Sequence, residues 1–282
     1  MNAKTLRKPA QFDASTVLVY TLLVLISFVI LLPVLWIVMA SFKAGSGLYS
    51  SNFFPKELTL DNYVQLFTKT DFPLWFGNSF RIAVLNTVVC LLFTAITGYS
   101  FSRWQFKAKK GAMLIVLVLQ MFPSFLTMIA IFIILDKLGL LDTYWGLILI
   151  YASAQLPYNA WLVKGYFDGI SVSLDEAARI DGADEFTIFW RVLLPLARPI
   201  LVLVALGAFM MPWFDFIFPK LILRGGNTTL AVGIFEWIQY RASDQFTLFA
   251  AASILVAVPA VALFAYLQKY IVSGLAAGGV KG

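Results

Sequence analysis

The residue types that usually carry chemistry are nearly missing from this chain. It has no histidine and one cysteine, Cys90, which removes the commonest acid–base group, the commonest zinc ligand and any internal disulfide. No G-x-x-x-x-G-K-[ST] phosphate loop occurs, so if the protein uses ATP, another chain must bind it. The hydroxyl residues show no nucleophile motif and have no histidine base, which argues against a membrane-embedded enzyme. One segment does have a definite pattern: Glu176-Ala177-Ala178, three residues, Gly182, nine residues, then Val192-x-Leu194-Pro195. Paired alanines break no bonds; their small side chains let a helix sink into a groove on a partner. The chemistry on offer is docking.

Two short helices must position that segment. Ser173 stands three residues ahead of Glu176, a capping-box spacing that predicts a helix from Ser173 through Ala177, Ala178 and Ile180, ended by Gly182. Asp184 is then the N-cap of a second helix with an apolar stripe of Phe186, Phe189, Trp190 and Leu193, closed by Pro195. Periodicity alone fits two pictures, a knob for a partner or an amphipathic segment covering the cytoplasmic face of a bundle.

The bundle is legible in the composition. Of 282 residues, 61% are hydrophobic and 13% charged, far from the roughly 25% charged of soluble domains. The apolar residues fall in six blocks near the 18 or so needed to cross about 30 Å of hydrocarbon: 16–40, 82–102, 111–135, 144–163, 199–219 and 246–267. Prolines at 33, 157, 212 and 259 predict bends. The expectation is an all-α membrane protein with a permease domain over 16–268, a loop at 165–198, an N-terminal tail at 1–15 and a C-terminal tail at 269–282. The first block is too long for a signal-peptide core and is expected to be retained.

Six spans put both termini on one side. Of the 21 Lys and Arg residues, thirteen fall in the two tails and in the loops at 103–110 and 164–198, and eight in the opposite loops. The positive-inside rule therefore predicts cytoplasmic termini. The same rule accounts for a sequence pI near 9.3 without nucleic acid. Only Asp215 is an acid well inside a span, too few ionisable groups for an ion-driven pump. It either lines a cavity or sits at an outer interface near Lys220, where the fifth helix ends early.

The Glu176–Pro195 pattern resembles the EAA signature of binding-protein-dependent ABC importer permeases, with Val192 where that family usually has Ile. Leu60-Asp-Asn-Tyr63, Asn78-Ser79, Tyr99-Ser-Phe-Ser-Arg103, Met121-Phe-Pro123, Ile180-Asp-Gly182, Thr229-Leu-Ala-Val-Gly233 and the 274–282 tail resemble its carbohydrate-uptake branch, most of all the maltose and maltodextrin permeases. The resemblance implies a six-helix permease in a prokaryotic inner or sole cell membrane. It would pair with a homologous second permease, two copies of an ATPase subunit that hold the ATP and magnesium, and an extracytoplasmic sugar-binding protein docking on the 41–80 and 220–246 loops. Glu176, Ala177, Ala178, Gly182, Leu194 and Pro195 would couple to the ATPase, and the tail residues Gly278, Gly279, Val280 and Lys281 would reach toward it. Trp213, Asp215, Phe216, Tyr158 and Asn159 are the candidates for a sugar path, unless the companion permease carries the whole site. The competing class is a secondary transporter or channel that does not use ATP.

Overall fold

A computed structural model describes residues 14–45, 57–121, 124–241 and 245–278. The described residues are helical apart from connecting turns and a single antiparallel bridge between Lys43 and Leu58. All six apolar blocks are helical, but they are not six continuous rods. Among the described residues, three helices are long and apolar enough to cross a membrane unaided: α1 (Ala14–Ser41), α3 (Phe72–Arg103) and the Phe246–Tyr270 part of α13 (Phe246–Gly278). The short helix α2 (Asp61–Lys69) lies between the first two.

The second block was expected to start at 82, after Arg81; α3 instead begins ten residues earlier, with Pro73 in its first turn. Proline suits a helix start because the N–H it lacks would have no partner there. The third block, expected as one span, is two helices, α4 (Lys109–Leu119) and α5 (Ser124–Lys137). The first of them ends in a turn, where Gln120 N–H bonds Leu117 O at 3.1 Å and Met121 N–H bonds Val118 O at 3.0 Å. The fourth block is α6 (Tyr144–Asp168), capped by Thr143, whose hydroxyl accepts from Gly146 N–H at 3.1 Å; Pro157 does not interrupt it. The fifth is split into α10 (Arg198–Phe214) and α11 (Ile217–Ile222), parted at Asp215 and Phe216. The short helix α12 (Leu230–Arg241) precedes α13.

The core is the α3, α6 and α10 triad. Along α3, Asn86, Cys90 and Thr94 recur every fourth residue, all buried, and Gly98 extends the line. A Cβ on Gly98 would come within 2.7 Å of Val163 Cγ1, so only glycine lets α6 pass there. Lipid tails are as apolar as leucine, so helices in a membrane are held by close approach and interhelical hydrogen bonds rather than by expulsion of water. Asn86 donates to Ala208 O on α10 at 2.7 Å, and Asn159 on α6 to Cys90 Sγ at 3.5 Å. By contrast, α1 packs along α13 while its large apolar side chains from Val17 to Trp36 stand exposed, the condition of a lipid-facing helix.

Candidate functional site

The patterned segment forms a helical hairpin at one end of α3. Helix α7 (Ser173–Ile180) has the predicted bounds, but Ser173 does not cap it: its hydroxyl pairs with that of Ser171 at 2.7 Å. Its C-terminus follows the glycine logic closely. Gly182 has φ +86°, its N–H bonds Arg179 O at 3.0 Å, and Ala183 N–H reaches back to Ala178 O at 2.9 Å. This pair of bonds is a Schellman motif, which needs the left-handed residue that glycine supplies without strain.

Asp184 then caps α8 (Glu185–Thr187), accepting from Thr187 N–H at 2.8 Å. Hydrogen bonding from Thr187, by its side-chain hydroxyl first and its backbone N–H second, holds the Asp184 carboxyl below the usual range. The helix widens into six residues of π-helix, Ile188–Leu193, and ends in α9 (Leu194–Leu196). Pro195 therefore does not close the helix. Its ring would clash with the carbonyl four residues back in a regular α-helix, and the wide turn stands immediately ahead of it, with Leu194 N–H bonded to Phe189 O. The chain bends by 80° only after Leu196. The wide turn also divides the expected apolar stripe: Phe189 and Leu193 are buried with Ile188 against Tyr99, Val163 and Phe167, while Phe186 and Trp190 face outward.

Residues to which the sequence reading gave no structural role hold the hairpin in place. Arg103, the last residue of α3, donates from Nε to Asp175 Oδ2 at 2.6 Å, from Nη1 to Phe167 O at 3.0 Å and from Nη2 to Ile170 O at 3.1 Å. The two side chains are only 7% and 1% exposed. One turn earlier, Tyr99 OH donates to Glu185 Oε2 at 2.7 Å, and Arg179 donates to Glu185 Oε1 at 2.8 Å. These partners, Tyr99 first, hold the Glu185 carboxyl below its ordinary value. Lys164 and Ser102 share Asp168. The signal in the sequence was the spacing of Tyr99 and Arg103, one helical turn apart, together with the six acids of the 165–198 segment.

With Asp175 locked inward, α7 presents its other face outward. Glu176 and Ala177 are exposed, Ala178 is half-buried, and Ile180 is 86% exposed. Leu194 is half-buried and Pro195 exposed.

The five sugar-path candidates are not brought together. Trp213 is buried, its indole N–H donating to Val256 O at 3.2 Å. Phe216 packs on Phe235 with ring centroids 4.3 Å apart. Tyr158 is exposed, whereas Asn159 on the same helix is buried beside Cys90. Asp215 marks the early end of α10, as one of the two expectations had it, but Lys220 pairs with Glu236 instead. The Asp215 carboxylate accepts from Tyr151 OH at 2.7 Å and from the N–H groups of Ile217 and Phe218 at 3.0 and 3.3 Å, which starts α11. It also lines an open cavity of about 560 Å³ with Met128, Met210, Phe214 and Phe218. Of the tail, Gly278 ends α13; Gly279, Val280 and Lys281 lie outside the described residues, as does the Phe122-Pro123 pair.

A helical bundle with an apolar exterior and an external hairpin is the architecture of a multi-pass membrane protein. Residues 90–276 match the family described as binding-protein-dependent transport system inner membrane component, and the chain belongs to that family of ABC importer permeases. It is 40% identical over 267 residues to the galactooligosaccharides transport system permease protein GanQ of Bacillus subtilis, covering 93% of this chain and 94% of that one. It is 38% identical to the maltodextrin transport system permease protein MdxG of the same organism, over all of both chains. The maltodextrin permease MalD of Streptococcus pneumoniae is 39% identical, with 94% and 95% covered. Among solved structures, a bacterial ABC transporter involved in alginate import superposes with a TM-score of 0.81 at 23% identity, over 94% of this chain and 99% of that chain. At that identity the likeness is one of fold.

Proposed function

We propose that this chain is one of two membrane subunits of an ATP-driven importer for a neutral oligosaccharide of the maltodextrin type. Both termini face the cytoplasm, an extracytoplasmic binding protein delivers the sugar, and α7 is the surface on which a separate ATPase subunit acts. The observation that carries this reading is the two-sidedness of α7: Asp175 is 1% exposed and tied to Arg103, whereas Ile180 on the same short helix is 86% exposed. A large aliphatic side chain held rigidly into the cytoplasm is the mark of a partner surface rather than of a solvated turn. The substrate class follows from the full-length relatives named above.

Uptake in reconstituted vesicles tests it, with the companion permease, ATPase and binding protein present and with maltotriose, longer maltodextrins and galactooligosaccharides as substrates. Wild type transports at least one of them only with ATP. Gly182→Pro, which forces φ to about −65° where +86° is needed, abolishes uptake while the complex still assembles on the membrane. Uptake that persists without ATP or without the ATPase subunits overturns the reading in favour of a secondary transporter.

A further inference from the structure

At the end of α3 opposite the hairpin lies a pocket of about 670 Å³, within the roughly 300–1,000 Å³ of small-molecule sites. It is formed where α2, the first turns of α3, α12 and the start of α13 meet. Trp75 and Trp237 supply two half-buried indole walls, and Gln65, Asp71, Glu236 and Gln245 supply polar groups between them. The walls are held rather than loose. A Cβ on Gly233 would come within 2.2 Å of the Trp75 ring, so glycine at that position is what lets the indole lie flat on α12. Trp237 Nε1–H donates to Gln245 Oε1 at 2.7 Å, which fixes the ring and leaves the Gln245 amide N–H groups free to donate.

We infer that this pocket is a carbohydrate site, a place where an oligosaccharide chain rests outside the membrane before or during transfer; the inference deepens the proposed function and rests on it. A pyranose ring has apolar C–H faces and a rim of hydroxyls, so it is recognised by flat aromatic walls together with amides and carboxylates that both accept and donate. Asp71 begins α3 without capping it, and Gln65, Lys69 and Asp71 have no side-chain hydrogen bond among the described residues. Their polar groups are therefore available to a ligand. The charge balance selects the ligand class. Glu236 is paired with Lys220, and Lys69 offsets Asp71 at the rim, so neither a phosphate nor a cation is favoured over a neutral polyhydroxyl compound. Trp75 is 28 residues from Arg103 on one unbroken helix, about 42 Å at 1.5 Å per residue, which separates this pocket from the hairpin by the thickness of the membrane.

The test uses the assembled importer in vesicles with Lys69→Cys as a reporter; the single native cysteine is buried. A membrane-impermeant maleimide labels position 69, and maltotriose, with the binding protein left out, slows that labelling in a saturable way while sorbitol does not. Trp237→Ala raises the half-protecting concentration about ten-fold, the worth of one well-packed aromatic face. Asp71→Asn, a surface change that leaves the packing intact, raises it by a smaller factor. The inference is overturned if maltotriose gives no protection in vesicles that take it up once the binding protein is added. It is equally overturned if protection survives both substitutions, or if only the binding protein protects, which makes the pocket a protein-docking surface. Uptake is scored separately, so a complex that protects but transports no oligosaccharide refutes the functional reading and not the site.

Discussion

The two ends of α3 are tied to the rest of the molecule in different ways. At its N-terminal end, the outer one in the orientation proposed above, the ties are neutral side chains, mostly on backbone groups. Asn78 donates to Gly226 O at 2.9 Å and Thr228 O at 3.0 Å while accepting from Tyr144 OH at 2.7 Å, and Ser79 accepts from Leu230 N–H at 2.8 Å. Nearby, Asn62 donates to Ser41 O and Lys43 O, each at 2.9 Å. At the inner end the ties of α3 run to carboxylates: Arg103 with Asp175, Tyr99 with Glu185 and Ser102 with Asp168. A hydrogen bond to backbone weakens steeply once misaligned, whereas attraction between charges falls only inversely with distance. The outer end is therefore a clamp with one geometry. The inner end is an attachment that keeps pulling when the hairpin is displaced, as the proposed coupling surface would need.

Removing Arg103 gives the largest break in that contrast. Arg103→Ala leaves Asp175 buried without its counter-charge, and breaking a buried pair in this way costs about 3–5 kcal/mol. The expected result is loss of ATP-driven uptake together with rapid protease cleavage between 168 and 198. Replacing both partners with apolar residues of similar size restores the protease resistance, since a matched apolar pair is often as stable as a buried ion pair. If it does so without restoring transport, the charge serves coupling rather than folding.

The outer clamp yields a smaller effect. Asn78→Ala strips partners from two carbonyls and from the Tyr144 hydroxyl, and unsatisfied buried groups cost about 1–3 kcal/mol. Thermal unfolding in detergent should fall accordingly, with hydrogen exchange rising across 225–230 and hardly at all in the hairpin. Equal loosening at both ends would mean that α3 does not separate the two attachments. Gly182→Ala is milder still. A left-handed residue with a Cβ costs about 1–2 kcal/mol, and since a Cβ there meets nothing within 4 Å, the cost is purely one of backbone. Uptake is reduced rather than abolished, and α7 exchanges faster at its C-terminus.

This contrast also explains what the sequence made legible. Apolar blocks placed the long helical paths, because lipid demands runs of apolar residues whatever the tertiary fold, but not α2 or α12, which lie in segments read as loops. Gly182 and Asp184 were legible because turn and cap chemistry is local. The break after Leu119 falls in a block read as one span, since composition counts residues and not backbone hydrogen bonds, whereas the split at Asp215 was one of two readings, because an acid is costly inside a span. Asp175 escaped notice because its role depends on Arg103, 72 residues away, and no local pattern announces that distance. The scattered sugar-path candidates have the same cause: aromatic and polar residues close in sequence, such as Trp213, Asp215 and Phe216, point to different neighbours once the helix ends between them.

The finest test of the neutral clamp lies at a charged residue beside it. Asp142 has φ +57°; its carboxylate accepts from Arg224 N–H at 2.8 Å and from Asn227 Nδ2 at 3.0 Å. Those bonds, Arg224's first, hold its carboxyl below the ordinary value. A depressed folded value means that the stability it lends is fully present above the unfolded value of about 3.9 and is lost as pH falls through the folded one. Hydrogen exchange at 224–228 should therefore quicken, after correction for the intrinsic rate, only below about pH 4. Asparagine tolerates the left-handed backbone and keeps the acceptor oxygen without the proton equilibrium. Asp142→Asn should accordingly leave uptake unchanged at neutral pH and remove the acid step from the exchange profile. An acid step that persists in the variant would place the titrating group elsewhere and make the outer clamp less neutral than its hydrogen bonds imply.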